Sequence, residues 1–257
     1  MQLHFKRTGK GKPVIILHGL FGSGDNWATF GKNLSENNCE VYLTDLRNHG
    51  HSPWDDDHSY HAMSNDLFEM INANDIEKPV ILGHSMGGKA AMQFAVEHPE
   101  TAASLIIVDI APYYYPQHHQ KIFQALLSVD LNTVTTRAEA DEQISIYIKD
   151  VSTKQFLLKN LYWKGSDKLA WRFNLHALNN KIENVGEAIT GSETFLPALF
   201  VRGENSTYIQ ENDLVPITKI FPNADLITIP GAGHWIHADQ PDALMAEVIS
   251  FLDQDPQ

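Results

Sequence analysis

One stretch, VILGHSMGGKAAMQFAVEHP at positions 80–99, constrains this chain more than any other. An apolar run of buried-strand length leads into Gly83-His84-Ser85-Met86-Gly87. An amphipathic segment rich in small residues follows without a linker. A turn that tight, from strand into helix, leaves no room for bulk beside the serine, and Gly83 and Gly87 flank it. Gly88 lets the helix lie close to its neighbours. The turn lifts the Ser85 hydroxyl to a helix N-terminus, whose free N–H groups favour developing negative charge. The G-x-S-x-G pattern alone arises by chance; a strand before it and a helix after it give it weight.

The rest of the chain repeats that rhythm. Apolar runs recur as VIILH (14–18), VYLTD (41–45), LIIVD (105–109), ALFVR (198–202) and DLITIPG (225–231). Helical spacing lies between them near 27–34, 63–73, 89–97 and 241–252. Short buried strands alternating with amphipathic helices predict an α/β fold with a mostly parallel sheet. The rhythm lapses over 112–195, which is polar, aromatic and without buried-strand runs. A structureless loop of that length is rare in a compact domain, so the segment reads as a helical cap. The core is then 1–111 and 196–257. No internal repeat or low-complexity segment interrupts this order.

Charge and composition narrow the partners. Thirty-two acidic against 19 basic residues give a formal charge of −13. That argues against nucleic acid or an anionic membrane surface as the main partner. The single cysteine, Cys39, rules out an internal disulfide and a multi-cysteine metal site and reads as a buried thiol. The opening MQLHFKRTGKGKPV lacks a signal-peptide core, and no apolar run reaches membrane-spanning length, so a cytoplasmic protein is expected. Thirteen histidines raise the question of a metal, but no H-E-x-x-H is present. His118 and His119 are adjacent and diverge on a helix. His58 and His61 flank Ser59-Tyr60 after the acidic run 55–57, which reads as loop. No metal and no cofactor is expected; a G-x-G-x-x-G phosphate loop is missing. No feature fixes an oligomeric state.

A serine raised on such a turn calls for a base, an acid and donors for an oxyanion. The loop HGLFGSGDNW after the first buried strand supplies one backbone N–H, from Leu20 with Phe21 as the alternative; the residue after the serine, Met86, supplies the other. His18 reads as a structural brace for that loop. The base is His234, in GAGHWIHAD after the last strand, where Gly231 and Gly233 let the loop reach over the sheet. His237 is its competitor but lies toward the final helix. The acid has two candidates at strand ends: Asp109 in LIIVDIAP, and Glu204 in VRGENSTY, where Asn205 or Ser206 is placed to hydrogen-bond to Asp109 or His234. Parallel sheets gather their chemistry beyond the carboxyl ends of strands, where both sit. Asp45, in LTDLRNHGHS, reads as organising its own loop with Arg47. Phe21 and Trp235 flank catalytic residues and read as pocket walls. The cap aromatics, Trp163 and Trp171 among them, are candidates for an acyl pocket or for the cap's own core. Arg172 is placed either to meet a substrate anion or to pair with a cap carboxylate.

The motifs HGLFGSGDNW, DLRNHGHS, GHSMGGKA and GAGHW, in this order and spread over nearly the whole chain, resemble the α/β-hydrolase superfamily. Together with VDIAP and WRFN (171–174), LRNHGHS, GHSMGGKA and GAGHWIHAD resemble the YbfF-like esterases and their abhydrolase-11 relatives. The resemblance implies the α/β-hydrolase fold, with helices on both faces of the sheet and an inserted helical cap. It also implies cleavage of a small-molecule ester or thioester through Ser85 and His234, with Asp109 as the acid. Carbon–carbon bond hydrolases and cofactorless haloperoxidases keep the same three residues, and a ligand receptor on this fold is a further alternative. The serine argues against the haloalkane dehalogenases and epoxide hydrolases, whose nucleophile is an aspartate.

Overall fold

The computed structural model describes residues 1–165 and 168–254, without the side chain of Glu211. Ser166 and Asp167, inside the segment read as a cap, and the last three residues of the core range lie outside the described residues.

In chain order the elements are β1 (Phe5–Gly9), β2 (Lys12–Leu17), α1 (Ala28–Ser35), β3 (Cys39–Thr44), α2 (Tyr60–Ala73), β4 (Val80–His84), α3 (Met86–Glu97) and β5 (Ser104–Val108). Then come α4 (Gln120–Ser128), α5 (Arg137–Ile144), α6 (Val151–Leu158), β6 (Leu161–Lys164), β7 (Lys168–Trp171), α7 (Leu175–Asn180) and α8 (Ile182–Val185). The chain returns through β8 (Ala198–Gly203), α9 (Leu214–Thr218), β9 (Ala224–Ile229), α10 (Ile236–Asp239) and α11 (Pro241–Gln254). Seven strands form one sheet in the order β1-β3-β2-β4-β5-β8-β9. Every pair is parallel except the edge pair β1–β3.

The central strands are apolar on both faces because both faces are covered. Ile15, Ile81 and Ile107 point to one side, against Met63 and Leu67 of α2 and Phe94 of α3. Their neighbours Ile16, Leu82 and Ile106 point to the other, against Leu34 of α1 and Leu244 and Val248 of α11. The period of two is hidden in the sequence but intact in the packing. β1, FKRTG, escapes the sequence reading because it is an edge strand with no apolar run. The helix expected from 63 begins at Tyr60, because the Ser59 side chain caps Ala62 N–H at 3.2 Å. Tyr60 and His61 therefore belong to a helix, not to the loop expected there.

The segment between β5 and β8 builds a cluster of its own, with Phe123, Leu126, Ile144, Leu157, Trp171 and Phe173 at its centre. Helices dominate it, yet β6 and β7 form an antiparallel hairpin with Leu161 opposite Trp171. Two four-residue strands, LYWK and KLAW, give no apolar run for a sequence reading to find.

Lys89 ties this segment to α3. It is fully buried, and its Nζ donates to the carbonyls of Tyr113 and Glu187, each at 2.6 Å, one near each end of the segment. Burial pulls the ammonium down to about 7, against the opposing pull of Glu187. A lysine whose folded pKa lies below its unfolded value holds fewer protons folded than unfolded between the two, so stability rises with pH across that interval. Here the interval runs from about pH 7 to the ordinary lysine value of 10.5. Urea midpoints measured at pH 7 and pH 9.5 are expected to rise in wild type relative to Lys89→Met; an equal offset at both pH values overturns the assignment.

Candidate active site

Ser85 sits between β4 and α3 at φ 53° and ψ −118°, a left-handed backbone that side chains rarely adopt. The turn is pinned by Ser85 N–H donating to Val108 O at 3.0 Å. A Cβ on Gly87 would stand 2.4 Å from Leu17 O, and one on Gly83 2.3 Å from Gly87 O, so both flanking positions require glycine. Met86 is the first residue of α3, where the backbone N–H has no partner within the helix.

Asp109 follows β5 and also has a positive φ, 52°. Its side chain is wholly buried. Oδ1 accepts from Gly203 N–H at 3.1 Å; Oδ2 accepts from the Ser206 hydroxyl and lies 2.7 Å from His234 Nδ1. An ionised carboxylate can only accept, so this contact places the proton on Nδ1 and leaves Nε2 free to take another. The VRGENSTY turn is thus not idle. Gly203 and Ser206 hold Asp109, while Glu204 accepts from Gly231 N–H at 2.8 Å and Asn205 N–H donates to Ala232 O at 2.9 Å. Glu204 braces the loop that carries His234; the carboxylate in contact with the imidazole is that of Asp109.

Three further aromatic residues surround His234, and sequence reasoning missed them. His84, just before the serine, donates from Nε2 to the carbonyl of His234 at 2.8 Å, and burial keeps it well below the usual histidine range. Tyr208 stacks its ring on His234, with centroids 3.9 Å apart and planes 16° apart. His118 Nε2 meets Tyr208 Oη at 2.6 Å. His118 and His119 do not diverge as expected, because α4 begins only at Gln120 and their rings lie 4.1 Å apart. His237 stacks on Trp27 at 4.3 Å, and burial pushes it down to about 4. It has no described hydrogen bond to Asp109.

The two loop alternatives for an oxyanion donor separate clearly. Phe21 N–H donates to His49 Nε2 at 3.2 Å and is engaged, whereas among the described residues Leu20 N–H has no acceptor. His18 braces the loop as expected, donating from Nδ1 to Gly19 O at 2.8 Å and accepting Leu46 N–H on Nε2 at 3.0 Å. Asn160 adds a hold from the inserted segment, donating to Phe21 O at 2.9 Å. Asp45 organises its loop by accepting from Gly24 and His51 N–H, but Arg47 pairs with Asp66 instead, at 2.6 Å.

Ser85, His234, Leu20, Phe21 and Trp235 line one cavity of about 180 Å³, roofed by Phe156 of α6. Three expected wall residues are not there. Trp163 is 52% exposed on the open face of the hairpin. Trp171 is buried in the segment's own cluster, stacked on Phe173 at 5.3 Å. Arg172 lies over the Tyr162 ring at 4.2 Å, with Nη1 3.5 Å from His51. The roof comes from α4 and α6, not from the hairpin that carries these three residues. Among the described residues no group of three or more His, Cys, Asp or Glu side chains could hold a metal ion, and no helix is long and apolar enough to cross a membrane.

Residues 12–241 match the family described as alpha/beta hydrolase fold. The chain belongs to the α/β-hydrolase family. It is 37% identical to the zebrafish (Danio rerio) sn-1-specific diacylglycerol lipase ABHD11, over 96% of this chain and 80% of that protein. To the esterase YbfF of Escherichia coli it is 36% identical, over 93% of this chain and 92% of that one. Among solved structures, a marine microorganism esterase superposes with a TM-score of 0.93 at 44% identity, covering 97% of this chain and 99% of the other. The resemblance read from the motifs holds, and the α/β-hydrolase described here is a hydrolase among esterases and lipases.

Removing the Ser206 hydroxyl takes one of the donors from a buried carboxylate, and a hydrogen bond to a charged group contributes about 1.5–3 kcal/mol. Ser206→Ala is expected to lower kcat on an activated acetate ester about 10- to 100-fold with KM little changed, measured by steady-state kinetics. An unchanged kcat overturns this role.

Proposed function

We propose that this hydrolase is a serine carboxylesterase that works through a covalent acyl-enzyme and also accepts thioesters. The observation that carries the reading is the 2.7 Å contact between His234 Nδ1 and the buried Asp109, beside the cavity that His234 shares with Ser85. With its proton on Nδ1, His234 takes the Ser85 proton on Nε2 as Oγ bonds to the substrate carbonyl carbon. Negative charge gathers on the carbonyl oxygen, which faces the backbone N–H groups of Met86 and Leu20. Asp109 stabilises the imidazolium without taking its proton. His234 passes the proton to the leaving oxygen or sulfur as that bond breaks. Water, deprotonated by the same Nε2, then attacks the acyl-enzyme and releases the acid and Ser85. In this reading 1–111 with 196–257 is the catalytic core and 112–195 is the cap that keeps bulk water from the acyl-enzyme.

p-Nitrophenyl acetate hydrolysis tests each part. Ser85→Ala is expected to abolish turnover. Asp109→Asn is expected to cut kcat about 10⁴-fold, the loss seen when the acid of a serine protease triad is replaced. Glu204→Gln, which keeps an acceptor for Gly231 N–H, is expected to retain activity within a small factor. Near-normal turnover by Asp109→Asn removes Asp109 from the reading. Wild type no faster than Ser85→Ala, or a single turnover without cycling, removes the esterase itself.

A further inference from the structure

Ser85 borders a second cavity besides the one it shares with His234. The larger, about 180 Å³, has His234, Trp235 and Phe156 in its walls. Phe156, Trp235 and His237 also border a separate groove of about 500 Å³. The smaller, about 30 Å³, has Met86, Leu20, Ile110, Ile182 and Val185 in its walls but not His234. Besides Ser85 and Leu20, only His118, His119 and Tyr208 border both, and these three stand as the partition. The partition is held firmly. Tyr208 rests on the His234 ring, its Oη meets His118 at 2.6 Å, and its carbonyl accepts from Tyr113 Oη at 3.0 Å and Tyr115 Oη at 2.5 Å.

The chemistry sorts the substrate between the two spaces. Of the four groups around the tetrahedral carbon, one is Ser85 Oγ, and one is the oxyanion at Met86 and Leu20. The leaving oxygen or sulfur must face His234 to receive its proton. The fourth, the acyl chain, must then point away from His234. Only the larger cavity touches His234; Leu20 borders both, while Met86 borders only the smaller, where Ile110, Ile182 and Val185 give an apolar side to the wall. We infer that the acyl chain occupies the small cavity behind the His118–Tyr208 partition, which limits it to two or three carbons, while the alcohol or thiol lies in the larger main cavity. This rests on the acyl-enzyme reading above. A cavity of about 30 Å³ has room for only a water-sized group or two. Each methylene beyond that must displace packed side chains, and a single methylene in a fitted pocket is worth about tenfold or more in kcat/KM.

Two ester series and two variants test it. Along p-nitrophenyl acetate, butyrate and octanoate, wild-type kcat/KM is expected to fall about 100-fold by butyrate. From ethyl acetate to hexyl acetate, followed by pH-stat, it is expected to hold or rise. His118→Ala opens the partition, and Tyr208→Phe removes its hydrogen bond but keeps the ring on His234. Each is expected to raise the butyrate-to-acetate ratio at least tenfold, a change that a general loss of stability does not produce. A wild-type preference that climbs with acyl length, or a ratio unmoved in variants that keep the wild-type melting temperature, overturns the inference and leaves the esterase reading intact. Hydrolysis that survives Ser85→Ala overturns the esterase reading instead. Should His118→Ala fail to fold, Tyr208→Phe and the two wild-type series still decide.

Discussion

A carboxylate wholly withdrawn from water must find its donors inside the protein, and in this hydrolase the requirement falls on Asp109. Its three described hydrogen-bond links run to Gly203 on β8, Ser206 in the turn beyond, and His234 at the end of a loop after β9. Meeting one side chain's needs therefore fixes the mutual position of three strand ends. Glu204 completes the arrangement by holding the histidine loop at Gly231. The turn that lacks an aspartate of its own holds the aspartate of the neighbouring strand through Gly203 and Ser206.

Backbone conformation carries the same demand. Ser85 and Asp109 both have positive φ, and they stand at the ends of adjacent strands β4 and β5. Non-glycine residues hold such conformations only where surrounding contacts over-determine them. Here those contacts are the glycine packing of the α3 turn, the Ser85–Val108 bond and the Asp109–Val201 bond. His84 adds a direct tie between the serine turn and the histidine loop, so Ser85 and His234 are not free to drift apart independently.

The parts legible in the sequence are those whose physics is local. Buried parallel strands announce themselves as apolar runs, and the strand-turn-helix around Ser85 needs its glycines within a few residues. The pairing of His234 with Asp109 was legible from the place of one after the last strand and of the other at a strand end. What stayed hidden depends on partners distant in sequence. β1 is a strand only because β3 offers an edge. The hairpin β6–β7 alternates too briefly to give a pattern. Tyr208, His84 and His118 look like ordinary aromatic residues until the fold gathers them around His234. Trp163, Trp171 and Arg172 failed as wall residues for the complementary reason: aromatic composition does not say which face of the inserted segment turns toward the serine.

The single amine of Lys89 receives the inserted segment where it leaves the core and again where it returns. Entry and exit therefore share one doorway, set on the helix that follows Ser85. A segment closed at its base in this way can lengthen or shorten at little thermodynamic cost, because closure entropy grows only with the logarithm of loop length. The segment can thus change in length over the cavity while the sheet beneath stays as it is.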